Sequence, residues 1–284
     1  MKRALRTMRV ALGSVLAVVG TALLLLAAGQ PVAAASTFNT IAAARSVQLP
    51  AGDLIFRFLD LTVPAGQPPV THSHGAGFTY AVDGTHVFTA GGRTVSLGPG
   101  QAAWIGAQEE HGHGAVTAAP SHFWFVLAGP AASAGTPPTW PYPSARIAGE
   151  SAAFQLPDAN PRDLFLSELR LDRPGDAFVL PGQPGPAGIA VVQGQVTVAG
   201  RTLQTEATTL LTANAATAIT NSGTSAARVL VISAVPAGTA LRLPATGAGS
   251  GRSATSTLLL STALVAGAAL VGAIWSHRGA SGRV

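Results

Sequence analysis

Two stretches of the chain follow one turn plan, and this repeat limits the available folds more than any other feature of the sequence. Residues 78–84 (FTYAVDG) are matched by 188–194 (GIAVVQG), and a Gly-Arg-Thr triplet follows each, at Gly92-Arg93-Thr94 and Gly200-Arg201-Thr202. Val63-Pro64-Ala65-Gly66 is echoed by Arg173-Pro174-Gly175, and the copies close on two β-favouring runs, 122–127 (HFWFVL) and 228–233 (RVLVIS). Short runs of this kind, with turn residues about every eight to twelve positions, predict antiparallel sandwiches or barrels and oppose a helical bundle. The 33 glycines and 20 prolines agree, since together they are about a fifth of the chain against roughly 12% in ordinary proteins. The expectation is an all-β protein of two tandem small antiparallel β-barrels, at 36–130 and 146–236. Residues 131–145, which carry the segment AASAGTPPTWPYPS, read as a stiff Pro-rich linker between them. Residues 237–256 read as a second linker.

The formal charge of +5 suggests nucleic acid or anionic lipid until its distribution is read. Lys2, Arg3, Arg6 and Arg9 lie near one end and Arg252, Arg278 and Arg283 near the other, while residues 36–247 hold ten basic groups against twelve acidic, a formal −2. No nucleic-acid partner is therefore expected. The basic start, the apolar run after it and the small residues around Ala33 and Ala35 have the layout of a signal peptide over 1–35 with an A-x-A cleavage site, or of an uncleaved anchor. Residues 257–275 (TLLLSTALVAGAALVGAIW) contain no charge and are long enough for a transmembrane helix; 276–284 then form a short basic cytoplasmic tail. Leu243, Pro244, Ala245, Thr246 and Gly247 stand upstream of that span. The arrangement resembles the LPxTG sorting signal of Gram-positive surface proteins, which implies sortase and the cell wall as partners. Retention by the membrane helix alone is the alternative. Either way the expected location is extracytoplasmic, at a bacterial cell surface.

With no cysteine, and Lys2 as the one lysine, thiolate ligands and lysine Schiff-base chemistry in the exported part are excluded. Histidine is left, and it is unevenly spread. His72, His74, His86, His111, His113 and His122 all lie in the first half, the second half has none, and the seventh, His277, is in the tail. His72 and His74 are two apart, so on a strand both rings project from one face, and His111 and His113 repeat the pattern. Paired imidazoles on one face, joined by a third from a neighbouring strand, can hold a divalent ion. As an isolated feature, an H-x-H pair is also what a polar strand edge looks like.

The spacing around these residues resembles the cupin family. Its first motif, G-x5-H-x-H-x3,4-E-x6-G, is approached by Gly66, five residues, His72-Ser73-His74, and Gly84. Its second, G-x5-P-x-G-x2-H-x3-N, is approached by Gly100, five residues, Gly106-Ala107-Gln108, two residues and His111. The departures are specific: Gly77 stands where the family has a Glu ligand, Gly106 and Gln108 replace its Pro and Gly, and Ala115 replaces its Asn. The resemblance implies a bicupin whose first barrel binds a divalent metal (Mn, Fe, Zn or Ni) on His72, His74 and His111, with His113 and Glu110 as further candidate ligands. Tyr80, His86, Trp104, His122 and Trp124 are candidates for the pocket wall. Offsetting by the repeat puts Gly182 and Pro184 near the positions of His72 and His74, and Thr217 with its neighbours near that of His111, so the second barrel is expected to be structural or to hold a purely organic ligand pocket.

An ion on three neutral histidines keeps its full positive charge, which favours a small anionic organic ligand; by the resemblance, dioxygenase, decarboxylase and isomerase chemistry all occur in the family. A non-catalytic module that binds a small molecule or metal, and an inert scaffold, are the competing classes. Self-association is left open. There is no GK[ST] phosphate loop, G-x-S-x-G elbow or H-E-x-x-H, so phosphoryl transfer, triad hydrolysis and zincin chemistry lack their residues.

Overall fold

A computed structural model describes residues 36–142 and 144–243. The signal segment, Pro244 to Gly247, the span at 257–275 and the tail lie outside the described residues. Among the described residues no helix is long and apolar enough to cross a membrane.

The regular structure of the described chain is almost entirely strand. The first half runs through β1 (Thr37–Val47), β2 (Leu54–Val63), β3 (Gln67–His72), β4 (Gly77–Asp83), β5 (His86–Ala90), β6 (Arg93–Leu97), β7 (Ala102–Ile105), β8 (His111–Ala115) and β9 (Ser121–Pro130). A single 3-10 turn, Ala131–Ser133, precedes β10 (Ser144–Glu150). The second half repeats the plan with β11 (Arg162–Leu171), β12 (Ala177–Leu180), β13 (Ala187–Gln193), β14 (Gln195–Val198), β15 (Arg201–Gln204), β16 (Thr208–Leu211), β17 (Thr217–Asn221) and β18 (Ala227–Pro236). Each half folds into a five-stranded and a four-stranded antiparallel sheet, ordered β10-β2-β9-β4-β7 with β3-β8-β5-β6, and β1-β11-β18-β13-β16 with β12-β17-β14-β15. The repeated Gly-Arg-Thr marks the β5–β6 and β14–β15 hairpins. Gly91 and Gly92 (φ 55° and 74°) and Ala199 and Gly200 (φ 47° and 80°) supply the positive φ pair that a two-residue type I′ turn requires.

The halves exchange their leading strands. β1 pairs with β11 in the sheet of the second half, and β10 pairs with β2 in the sheet of the first. Segment 36–47 thus precedes the first barrel in sequence but is hydrogen-bonded into the other.

Between the large sheets lies the main core. Alternate residues of the central strands point to it: Phe56, Phe58, Phe78, Trp124 and Val126 from the first half meet Leu164, Leu166, Ala190, Leu230 and Ile232 from the second. The residues between them face the barrel interiors, as with Leu59, Leu61, Phe123 and Phe125 in the first. Both faces of β2, β9, β11 and β18 are therefore buried, and each aromatic or leucine removed from water contributes about 1.5–3 kcal/mol.

One polar group is held inside this apolar layer. Glu168 is 5% exposed and accepts hydrogen bonds from Tyr80 Oη (2.7 Å), Arg170 Nε (2.8 Å) and Arg228 Nε (3.0 Å). Arg228 also donates to Tyr80 Oη. Burial pushes the Glu168 carboxyl up, but the hydrogen bonds from Tyr80, Arg170 and Arg228 outweigh it and hold it below the usual carboxylate range. Desolvation, with Glu168 as its partner, pushes the Tyr80 phenol above its ordinary value.

Candidate metal centre

Strand register brings four of the histidines to one point. β3 pairs with β8 so that His72 lies opposite His111 and Val70 opposite His113. His74 follows from the loop after β3, where its carbonyl accepts from Gln108 N–H (2.8 Å). His72, His74, His111 and His113 each offer a ring nitrogen within 4.8 Å of the others.

Which nitrogen is free follows from what the other one touches. Nδ1 lies against a backbone carbonyl in three of them: Val70 for His72 (3.0 Å), Gly75 for His74 (2.7 Å) and Glu109 for His111 (2.7 Å). A carbonyl can only accept, so each Nδ1 carries the proton and each Nε2 is left as a lone pair. His113 Nδ1 lies 2.8 Å from His86 Nε2, and His86 Nδ1 is 3.0 Å from Ser121 Oγ. Donation from His113 to His86 to Ser121 satisfies both contacts and leaves His113 Nε2 as the fourth lone pair.

These lone pairs have no other use within the protein. Nε2 of His72 and of His113 are buried without a hydrogen-bond partner, an arrangement that costs about 1–3 kcal/mol per group. Nε2 of His74 and His111 face each other at 3.0 Å, two acceptors whose repulsion a cation between them relieves. Desolvation favours the neutral form of His74, His86, His111 and His113. It lowers His74 to about 4 and His86 to about 3, and it takes His111 below and His113 well below the ordinary histidine value, with the neighbouring rings adding to the effect in His74, His111 and His113. Neutral imidazoles that donate the second ring N–H to a carbonyl or a further side chain are the state in which histidine ligates metals. The residues present fit a divalent ion.

The missing glutamate has a steric explanation. A Cβ at Gly77 would lie 2.4 Å from the Phe125 ring, and that ring packs edge-on against His74 at 4.4 Å. His113 joins the cluster from β8, and the set is all nitrogen.

The remaining candidates fall elsewhere. Glu110 is exposed on the loop before β8 and is not part of the cluster. Tyr80 and Trp124 point away from the histidines into the core between the halves, and Trp104 packs there against Phe78 at 4.9 Å. His122, one residue after the buried Ser121, projects from the outer face and binds Asp60 at 2.6 Å, beside Arg146. His86 does lie inside, and it touches His113 directly.

Two residues that sequence reasoning passed over close the site. Trp140, in the segment read as a linker, has its ring 5.5 Å from His72 and 5.2 Å from His113, and Tyr142 Oη lies 3.0 Å from the His113 carbonyl. Their signal was two aromatics in a Pro-rich stretch that a solvent-exposed linker would not need. Beneath this strap is a cavity of about 510 Å³, bordered by His72 and His74 on one side and by Leu59, Leu61, Phe125 and Leu127 on another.

Fold and site together define an all-β tandem-barrel protein with a four-histidine cluster, compatible with a metal-binding cupin domain. No family model matches the sequence, and no curated protein does. Among solved structures, the bacterial pirin YhhW from Escherichia coli in complex with nickel(II) is 16% identical, with a TM-score of 0.45 over 69% of this chain and 91% of that one. The formate complex of Lactobacillus farciminis oxalate decarboxylase is 12% identical, with a TM-score of 0.47 over 73% and 88%. A cupin 2 conserved barrel domain protein from Leptotrichia buccalis is 15% identical, with a TM-score of 0.34 over 72% and 91%. These likenesses extend no further than the arrangement of strands.

Proposed function

We propose that this chain is an exported, surface-anchored bicupin whose first barrel holds one divalent ion on His72, His74, His111 and His113 and uses it to bind a small anionic organic ligand. The observation that carries the reading is the convergence of four Nε2 lone pairs, two of them buried without a partner. Imidazole sets suit Fe, Ni and Zn better than Mn, which prefers oxygen. When bound, such an ion supplies a positive Lewis-acidic centre that draws oxygen donors. His86 and Ser121 orient His113, and Phe125 fixes the ring of His74. The residues bordering the cavity include no carboxylate, which supports ligand binding ahead of acid–base chemistry by the protein itself. Export and anchoring rest on the sequence pattern of residues 1–35, Leu243 to Gly247 and 257–275.

Metal content of the purified protein tests the reading. About one ion per chain is expected by mass spectrometry, lost in both His72→Ala and His111→Ala. Equal and negligible metal in all three proteins would overturn it.

A further inference from the structure

The strap between the barrels is fastened at both ends and lines the cavity with Pro138, Thr139, Trp140 and Pro141. At one end Arg57 donates to the Thr136 carbonyl (2.5 Å) and Gly135 N–H to Glu150 Oε2 (2.9 Å). At the other, Tyr142 Oη lies within hydrogen-bond distance of the Pro68 (3.1 Å) and His113 (3.0 Å) carbonyls. Between these anchors Pro138 and Trp140 complete an apolar wall with Leu59, Leu61, Phe125 and Leu127. No residue lining the cavity carries a formal charge, and besides His72 and His74 the polar side-chain groups there are those of Ser73 and Thr139 and the indole N–H of Trp140, which donates to the Thr62 carbonyl (3.5 Å).

That composition defines a ligand. Four neutral imidazoles leave the full charge of a divalent ion uncompensated, and the wall supplies no counter-charge. The occupant therefore brings an anionic oxygen for the ion and an apolar body for the wall. A small dianion with polar ends would place its second charge against leucine, phenylalanine and indole, where nothing pairs it. The volume of about 510 Å³ lies in the range of small-molecule sites that enclose most of their ligand.

We infer that the cavity selects apolar monoanionic oxygen ligands, aryl carboxylates or phenolates in class, and that Trp140 of the strap sets this selectivity. The inference rests on the metal-centre reading of the four histidines, and one experiment separates the two. The full chain is loaded with Co(II), whose visible absorption reports ligands entering its coordination sphere, and titrated with benzoate, acetate and oxalate. Benzoate is expected to bind at least about tenfold more tightly than acetate or oxalate, which is the scale of one good aromatic contact. Trp140→Ala should reduce that preference about tenfold, and Trp140→Phe should restore most of it, the benzoate-to-acetate ratio being taken for each variant on its Co(II)-loaded fraction. Equal affinities for the three anions, or a benzoate preference that survives Trp140→Ala, overturns the inference and leaves the metal centre standing. Failure to take up Co(II) overturns both.

Discussion

In the first barrel His111 lies opposite Ala90 and His72, and His113 lies opposite Phe88 and Val70. In the second, the same register places carry Thr217 opposite Leu180, and Ile219 opposite Val198 and Phe178. The correspondence continues through the relay behind the cluster. His86 pairs with Leu97 and its counterpart Val196 with Leu203, while Ser121 and Ala227 begin the matching strands β9 and β18. A His-His-Ser chain in one barrel is thus an Ile-Val-Ala packing in the other, with all three in its apolar core. One strand plan accepts either filling. The polar one leaves two buried nitrogens without partners, which a bound ion would satisfy, and the apolar one has no such groups.

Converting one filling into the other should produce the largest effect. His72→Leu, His86→Val, His111→Thr and His113→Ile together are expected to abolish metal binding, read by mass spectrometry after dialysis against Co(II) or Zn(II). Compared with the metal-free parent, the converted barrel should be more stable by about 2 kcal/mol or more, because unpartnered buried nitrogens are removed; chemical unfolding measures this. His86→Val alone keeps all four ligands and breaks the hydrogen bond that orients His113. It should weaken metal affinity about 10–100-fold, the usual scale for a residue that positions a ligand. Unchanged affinity would show that His113 is oriented by packing against Phe123 and Trp140 instead.

Part of this contrast is readable from the sequence. Two residues apart on a strand means one shared face, which pairs His111 with His113 on β8; His72 ends β3 and His74 lies in the loop beyond it, so their convergence depends on that loop as well as on the spacing. His86 is not paired in this way, because its place beside His113 depends on the β5–β6 hairpin, whose span from His86 to its partner Leu97 is four residues longer than the matching span from Val196 to Leu203. The offset that put Gly182 and Pro184 near the histidine positions fails for a similar reason. The loop after β12 is two residues longer than the one after β3, so the counterparts are Leu180 and Gly182. Tyr80 and Trp124 cannot be assigned to a face by alternation, which reports a face only when the other is wet, because on β4 and β9 both are buried. The exchange of β1 and β10 runs against the tendency of neighbours in sequence to pair.

The halves also differ at the seam between them. Each central strand carries one acid at the matching position, Asp60 on β2 and Glu168 on β11, yet Glu168 alone reaches the other half's core through Tyr80. Glu168→Gln leaves Arg228 without its anionic partner and should cost about 3 kcal/mol at pH 7, measured by urea unfolding. The pH dependence has a definite sign. The folded-state pKa is depressed, so the stabilisation is present above the unfolded value of about 4.3 and is lost as pH falls through the lower folded value. The difference between wild type and Glu168→Gln should therefore shrink at pH 3. A gap that stays constant with pH would assign the cost to altered packing.

The smallest effect is expected at His122, which shares its half with the cluster and none of its chemistry. Its position on β9 corresponds to Arg228 on β18, and like Arg228 it pairs with the acid of the adjoining strand. The difference is exposure: the His122 side chain is 37% accessible and that of Arg228 19%. Asp60 also keeps Arg146 when His122 is gone. Exposed ion pairs contribute about 1 kcal/mol or less, so His122→Gln should change stability by no more than that. Metal content should not change at all, because the strand turns this ring away from the interior while its neighbour Ser121 faces His86. Loss of metal in His122→Gln would mean that the seam and the cluster are coupled through β9, and that the separation of structural from ligand-binding histidines drawn between the two faces of that strand is wrong.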